Sequence, residues 1–188
     1  MKKQNLILLI IISFIFYHPC SLTAQEKQKP GGKEVSVKWY SFEDAYNLNK
    51  KKPKKMFIDV FTEWCGWCKK MDAETFTNPV IAKYMNNHFY CVKFDAERKD
   101  TIVIDGQTFV NPNPNSKRST HKLAVELLRG KMSYPSYVFL NEKGQMLTVV
   151  SGYQQAKEFE GVLNYFGTDA YIKSTWEEYR TGFQGELK

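Results

Sequence analysis

Histidine and cysteine are scarce in this chain, with three of the first and four of the second in 188 residues. Neither a second Cys pair nor a His pair stands at a spacing that would complete a four-ligand zinc site around Cys65 and Cys68, so no metal site is expected. Covalent haem attachment needs a histidine directly after the second cysteine, where the chain has Lys69. There is no internal repeat, which sets solenoids and propellers aside. Aromatic residues do not interleave with the run Lys50-Lys51-Lys52-Pro53-Lys54-Lys55, so it lacks the stacking ladder of a single-strand nucleic-acid binder. It reads as a solvated helix end, with lysines where the helix dipole favours them, and no nucleic-acid partner is expected.

Apolar runs are short as well. The longest, Leu6 to Phe16, is below the length of a spanning helix. It follows the basic Met1-Lys2-Lys3 and precedes Leu22-Thr23-Ala24 and polar Gln25, the three-part pattern of a secretory signal. Residues 1–24 are therefore expected to be removed, giving an exported protein of the periplasm or cell envelope with no stable membrane insertion. A lipid anchor on Cys20 competes, but Tyr17-His18-Pro19 is not the small-residue approach such an anchor needs; an uncleaved anchor is the other alternative. Loss of Lys2 and Lys3 lowers the formal charge from +7 to +5. Gln25 to Lys33, with Pro30-Gly31-Gly32, reads as a flexible leader. The remainder suits one domain, and 43% hydrophobic and 15% aromatic residues can supply its core.

What the chain does hold is Glu63-Trp64-Cys65-Gly66-Trp67-Cys68-Lys69-Lys70-Met71, directly after the apolar run Met56 to Phe61. Two cysteines two residues apart can close a small disulfide ring, and the spacing puts them where a strand hands over to a helix. There, free backbone N–H groups and the positive dipole end stabilise a thiolate. Asp59 shares a strand face with Phe57 and Phe61, so it is expected to be buried with its pKa raised; an acid reaching a strand end or an ion partner is the plainer reading. Phe89 to Asp95 reads as another strand, with Cys91 as a buried, inert thiol and Lys93 on the same face.

Around these elements the pattern predicts a strand from Val35 to Trp39 and a helix capped by Ser41 and stopped by Pro53. Asn78-Pro79 opens a helix to about Asn87. Asp105-Gly106 joins a hairpin, and Ser119 or Thr120 caps a helix ended by Gly130. Strands Ser136 to Leu140 and Gln145 to Val150 flank the turn at Asn141 to Gly144. Two helices follow, Gln155 to Phe166 and Thr168 to about Tyr179, leaving 183–188 as a tail.

Phe61-x-x-Trp64-Cys65-Gly66-x-Cys68-Lys69 after an apolar strand, Met132 to Leu140 with Tyr134-Pro135, and the closing hairpin around Asn141 to Gly144 together resemble the thioredoxin superfamily. The likeness includes exported relatives of the C-terminal domain of the transmembrane disulfide reductase. It covers roughly residues 34 to 167. It implies an α/β fold with a central mixed sheet flanked by helices, over about 34–182. The hairpin and helix of 97–130 are an insertion, and the last helix is an addition.

The resemblance also implies roles. Cys65, exposed at the helix start, attacks a disulfide, and Cys68 resolves the mixed disulfide. Asp59, six residues before Cys65, is the buried acid tied to proton transfer at the second cysteine, and Lys93 is the lysine beside that acid. Trp64, Gly66, Trp67, Tyr134 and a cis Pro135 face the substrate. The partners would be protein thiols and disulfides, with a membrane thiol as electron donor, and no organic cofactor beyond the redox-active Cys65–Cys68 pair. Gly66-Trp67 departs from the usual intervening pairs, leaving the direction of exchange open. A non-catalytic binding scaffold with a structural 65–68 disulfide is the alternative, although so short a ring restrains the unfolded chain little.

Overall fold

The computed structural model describes residues 35–188; the expected signal segment and leader lie outside them. Strand β2 (Lys55–Phe61) is its axis, buried on both faces along nearly its whole length. Parallel β3 (Phe89–Asp95) pairs with it on one side and antiparallel β6 (Ser136–Leu140) on the other. Short β1 (Trp39–Tyr40) and β7 (Met146–Ser151) complete a mixed sheet of order β1-β3-β2-β6-β7.

Strand alternation sends β2 side chains into two separate layers. Met56, Ile58 and Val60 pack under α1 (Phe42–Lys51) and α4 (Lys122–Leu127) with the hairpin of β4 (Ile102–Ile104) and β5 (Gln107–Phe109). Phe57 points the other way, into an aromatic layer covered by α2 (Gly66–Glu74), α3 (Pro79–His88) and α5 (Ala156–Gly167). Its ring lies 5.3 Å from Phe139, 5.7 Å from Tyr137 and 5.8 Å from Phe159, centroid to centroid.

Local chemistry sets the helix ends. Ser41 accepts from the Asp44 N–H, and Asn78 caps α3 with Pro79 at the first helical position. Asp105 and Gly106 both take positive φ in the hairpin turn, as a two-residue connection matching strand twist requires.

Four expectations need correction. Val35 to Lys38 forms no ladder: the Lys38 N–H donates to Asn86 Oδ1 and Asn86 Nδ2 donates to the Ser36 carbonyl, so a side-chain amide takes the backbone groups a strand would have used. The cap of α4 is His121, which accepts from the Leu123 N–H, while Ser119 Oγ is drawn off to Asn111 Oδ1. The helix expected over Thr168 to Tyr179 is broken. Asp169 has φ +61, only a short 3-10 turn follows (Ala170–Ile172), and a Thr175–Glu178 capping box restarts the chain as α6 (Trp176–Gly182). Residues 183–188 are no loose tail: buried Glu160 of α5 accepts from the Glu186 and Leu187 N–H groups at 2.6 and 3.0 Å. Among the described residues, no helix is long and apolar enough to cross a membrane.

Because Phe57 touches both neighbouring strands and α5, Phe57→Ala should destabilise the oxidised protein by about 3–5 kcal/mol, the usual loss for a buried phenylalanine. Equilibrium denaturant unfolding measures it; a loss below about 1 kcal/mol would mean the two halves of this layer hold together without the ring.

Candidate active site

The turn leaving β2 places the two cysteines. The Cys65 N–H donates to the Thr62 carbonyl at 3.1 Å, which bends the chain. Cys65 is then the N-cap of α2, and its Sγ accepts from the Cys68 N–H at 3.0 Å. A sulfur in this position meets a free helix N–H and the positive end of the peptide dipoles, both of which favour the thiolate. In the structure the pair is oxidised, Cys65 Sγ bonded to Cys68 Sγ. Cys65 was expected to stand open, but its relative exposure is 5%, against 2% for Cys68. The bond to Cys68 and the N–H contact draw the first sulfur onto the helix end.

On β2, six residues before Cys65, Asp59 is buried at 1% exposure and lies between Lys93 on β3 and Tyr137 on β6 in the strand register. Lys93 Nζ donates to Asp59 Oδ2 at 2.6 Å, while Oδ1 has no partner. Burial pushes Asp59 up to about 6, and the Lys93 charge and hydrogen bond oppose this only in part. Tyr137, whose hydroxyl is also unpartnered, is raised further by burial and then by the Asp59 charge.

Asp72, which the sequence reading passed over, belongs to this group. One helical turn after Cys68, it accepts from Lys93 Nζ, so a single ammonium ties α2 to the sheet through two carboxylates. Its position in Cys68-Lys69-Lys70-Met71-Asp72 was the available signal, since residues four apart share a helix face. Lys93 also lies 4.9–5.3 Å from the ring centroids of Trp39, Phe61 and Phe76.

Both tryptophans of the motif face outward, at 51% and 58% exposure for Trp64 and Trp67. Tyr134 packs edge-on against Trp64 at 5.8 Å, and Tyr153 lies 5.5 Å from Trp67. The Tyr134–Pro135 bond is cis, and the Pro135 carbonyl accepts from the Gly152 N–H at 2.9 Å. Gly66 is exposed with open space at its Cα. Asp59, Lys93 and Asp72 thus form one inner group, while Trp64 with Tyr134 and Trp67 with Tyr153 form two outer ones.

The sign of the Asp59 effect follows from its raised pKa. The fold favours the neutral acid, so the stability this group contributes is present below about pH 4. It is lost as pH rises through about 6, by up to roughly 3 kcal/mol for a shift of about two units. Asp59→Asn should remove that dependence, leaving the variant more stable than wild type at pH 8 and equal to it near pH 4. Urea unfolding of both oxidised proteins across this range is the check; parallel pH profiles would refute it.

A family model, Thioredox_DsbH, described as "Protein of unknown function, DUF255", matches residues 27–187. Spermatogenesis-associated protein 20 of Mus musculus is 35% identical over 75 residues, 39% of this chain and 10% of that protein. The thiol:disulfide interchange protein DsbD of Photorhabdus laumondii subsp. laumondii is 21% identical over 147 residues, 77% of this chain and 22% of that protein. The chain thus spans only a small part of the length of these relatives. A solved structure named DsbH Oxidoreductase is similar in fold, with a TM-score of 0.53 at 15% identity over 76% of this chain and 94% of that one. With a matched segment that takes in nearly the whole described domain, and a mixed sheet flanked by helices with a Cys pair at the start of α2, the chain belongs to the Thioredox_DsbH family and has a thioredoxin-like fold.

Proposed function

We propose that this protein is an exported thiol:disulfide oxidoreductase that reduces disulfides in protein substrates. One observation carries the reading: Cys65 Sγ sits at the N-terminus of α2, takes the Cys68 N–H, and lies within bonding reach of the second sulfur.

In the reduced protein the Cys65 thiolate attacks one sulfur of a substrate disulfide. That bond breaks, a mixed disulfide forms, and the other substrate sulfur leaves as a thiolate and takes a proton. Asp59, with a pKa near neutrality and a free oxygen, accepts the Cys68 proton. Cys68 then attacks Cys65 Sγ, closing the 65–68 disulfide and expelling the second substrate sulfur. Two electrons pass from the pair to the substrate, so the exchange itself needs no organic cofactor. A membrane pair of thiols restores Cys65 and Cys68 by the same steps in reverse, one thiolate attacking and the second resolving, so that the donor is left as a disulfide. Lys93 holds Asp59, and Trp64, Gly66, Trp67, Tyr134 and Pro135 form the face a substrate segment meets. Thiol–disulfide exchange is supported by the likeness to a protein named for thiol:disulfide interchange.

Cys68→Ser should accumulate covalent mixed disulfides through Cys65, since the group that frees the substrate is gone, while Cys65→Ser should trap far less. Non-reducing gels and mass spectrometry of the cell envelope read the outcome. Equal trapping by both variants would reverse or erase the roles assigned, and none by either would leave the pair structural. Titration against a glutathione couple gives the direction, a strongly reducing potential fitting a reductase. Export rests on the basic, apolar and small-residue pattern of residues 1–24. N-terminal sequencing of envelope protein should start at Gln25; a lipidated start at Cys20, or an intact Met1 in the membrane fraction, would overturn it.

A further inference from the structure

The insertion and the active-site motif share a cavity of about 290 Å³, lined by Trp64, Glu97, Arg118, Thr120, Met132 and Tyr134. Its floor is the exposed indole next to Cys65. The Arg118 guanidinium lies over that indole, 5.0 Å from the ring, a cation–π contact. Arg118 takes no hydrogen bond or ion pair to any described residue, so its five N–H donors are free. The acid in the cavity, Glu97, forms no ion pair with Arg118 among the described residues; its Oε1 accepts from Trp64 Nε1 at 2.8 Å and fixes the indole's orientation.

The loop that carries Arg118 is fastened. Buried Asn111 donates through Nδ2 to the carbonyls of Ser119, Arg98 and Glu97, and its Oδ1 accepts from Ser119 Oγ and the Asn113 N–H. The His121 N–H donates to the Ala96 carbonyl. Arg118 itself has φ +61, a conformation uncommon outside glycine and held here by its surroundings.

Basic residues outnumber acidic ones in the insertion, while the Glu97 and Asp95 charges reach Tyr134 from the same side. Residues 97–132 contain seven Lys and Arg against four Asp and Glu, and two of those acids, Asp100 and Asp105, are paired with Arg98 and Lys50. Lys117 and Lys131, the sequence neighbours of Arg118 and Met132, are both exposed.

We propose that Arg118 is a specificity-determining residue: it selects protein substrates whose disulfide cysteine lies beside aspartate or glutamate, which it pairs while the neighbouring apolar part of the segment rests on Trp64 and Met132. This deepens the oxidoreductase reading and rests on it. A planar guanidinium with free donors above a partly desolvated ring suits bidentate recognition of a carboxylate, and the pairing acts on capture of the substrate rather than on the sulfur chemistry.

The test uses the pre-reduced mature protein and two peptides with an internal disulfide, identical except for Asp-Asp or Lys-Lys beside the first cysteine. Wild type should reduce the acidic peptide about tenfold faster in kcat/KM at low salt, the preference shrinking as salt rises. Arg118→Gly, which suits the backbone φ, should abolish the preference, and Arg118→Glu should reverse it. If wild type shows no preference, or both variants keep it, the inference is overturned. Reduction of uncharged hydroxyethyl disulfide by wild type separates the two readings: activity there without peptide preference removes this inference alone, whereas no activity on any disulfide removes the exchange reading with it.

Discussion

An acid in an aromatic layer is the constraint on which this structure turns. Asp59 is carried on the strand face that also presents Phe57, and a charge there is tolerated only with a partner. Lys93 supplies it from the paired position on β3, and Asp72 holds the same ammonium from α2. Strand register, helix placement and electrostatics are therefore coupled, because a one-residue slip of β2 would turn Asp59 to the opposite core layer and leave Lys93 facing an apolar side chain. Burial, opposed only in part by Lys93, is what raises the acid to about 6. Full satisfaction of both oxygens would favour the carboxylate and lower the pKa.

Much of this was legible from residue pattern. The central strands announced themselves as apolar runs, with β3 and β6 spanning the residues expected of them, and the caps at Ser41 and Asn78 and the Asp105-Gly106 turn carry their own local chemistry. What could not be read was decided by contacts distant in the chain. Asn86 claims the backbone of Ser36 and Lys38 from 48 or more residues away, and Asn111 diverts Ser119 from capping. At the site, the Cys pair and the burial of Asp59 followed from spacing and alternation. Asp72 did not, since its meaning arises only when α2 folds over Lys93. The covering of Cys65 likewise depends on the orientation of its Sγ at the helix end, which residue spacing does not fix.

The insertion shows how an addition to a sheet becomes part of a site. Its hairpin buries Ile102 and Phe109 in the α1 layer, while Lys50 and Tyr46 of α1 both bond Asp105 at the turn. His121, fully buried, bonds the Asp100 carbonyl through Nε2 and caps α4 through Nδ1, and burial lowers its pKa, so the neutral ring that can do both is the favoured form. A segment anchored at both ends in this way presents the backbone of Arg118 at a fixed place, so little backbone ordering cost is left for binding.

Cys91 has a quieter consequence. Its thiol is fully buried, bonded weakly to the Met85 carbonyl, and pushed by burial up to about 12. Alkylating reagents act on thiolates they can reach, so the described residues of the folded, reduced chain offer them only the Cys65–Cys68 pair, and a third thiol reacts only when the β3 layer opens. The stoichiometry of labelling therefore separates two events that activity alone would merge, reduction of the site and loss of the core, and gives the molecule an internal clock for its own unfolding.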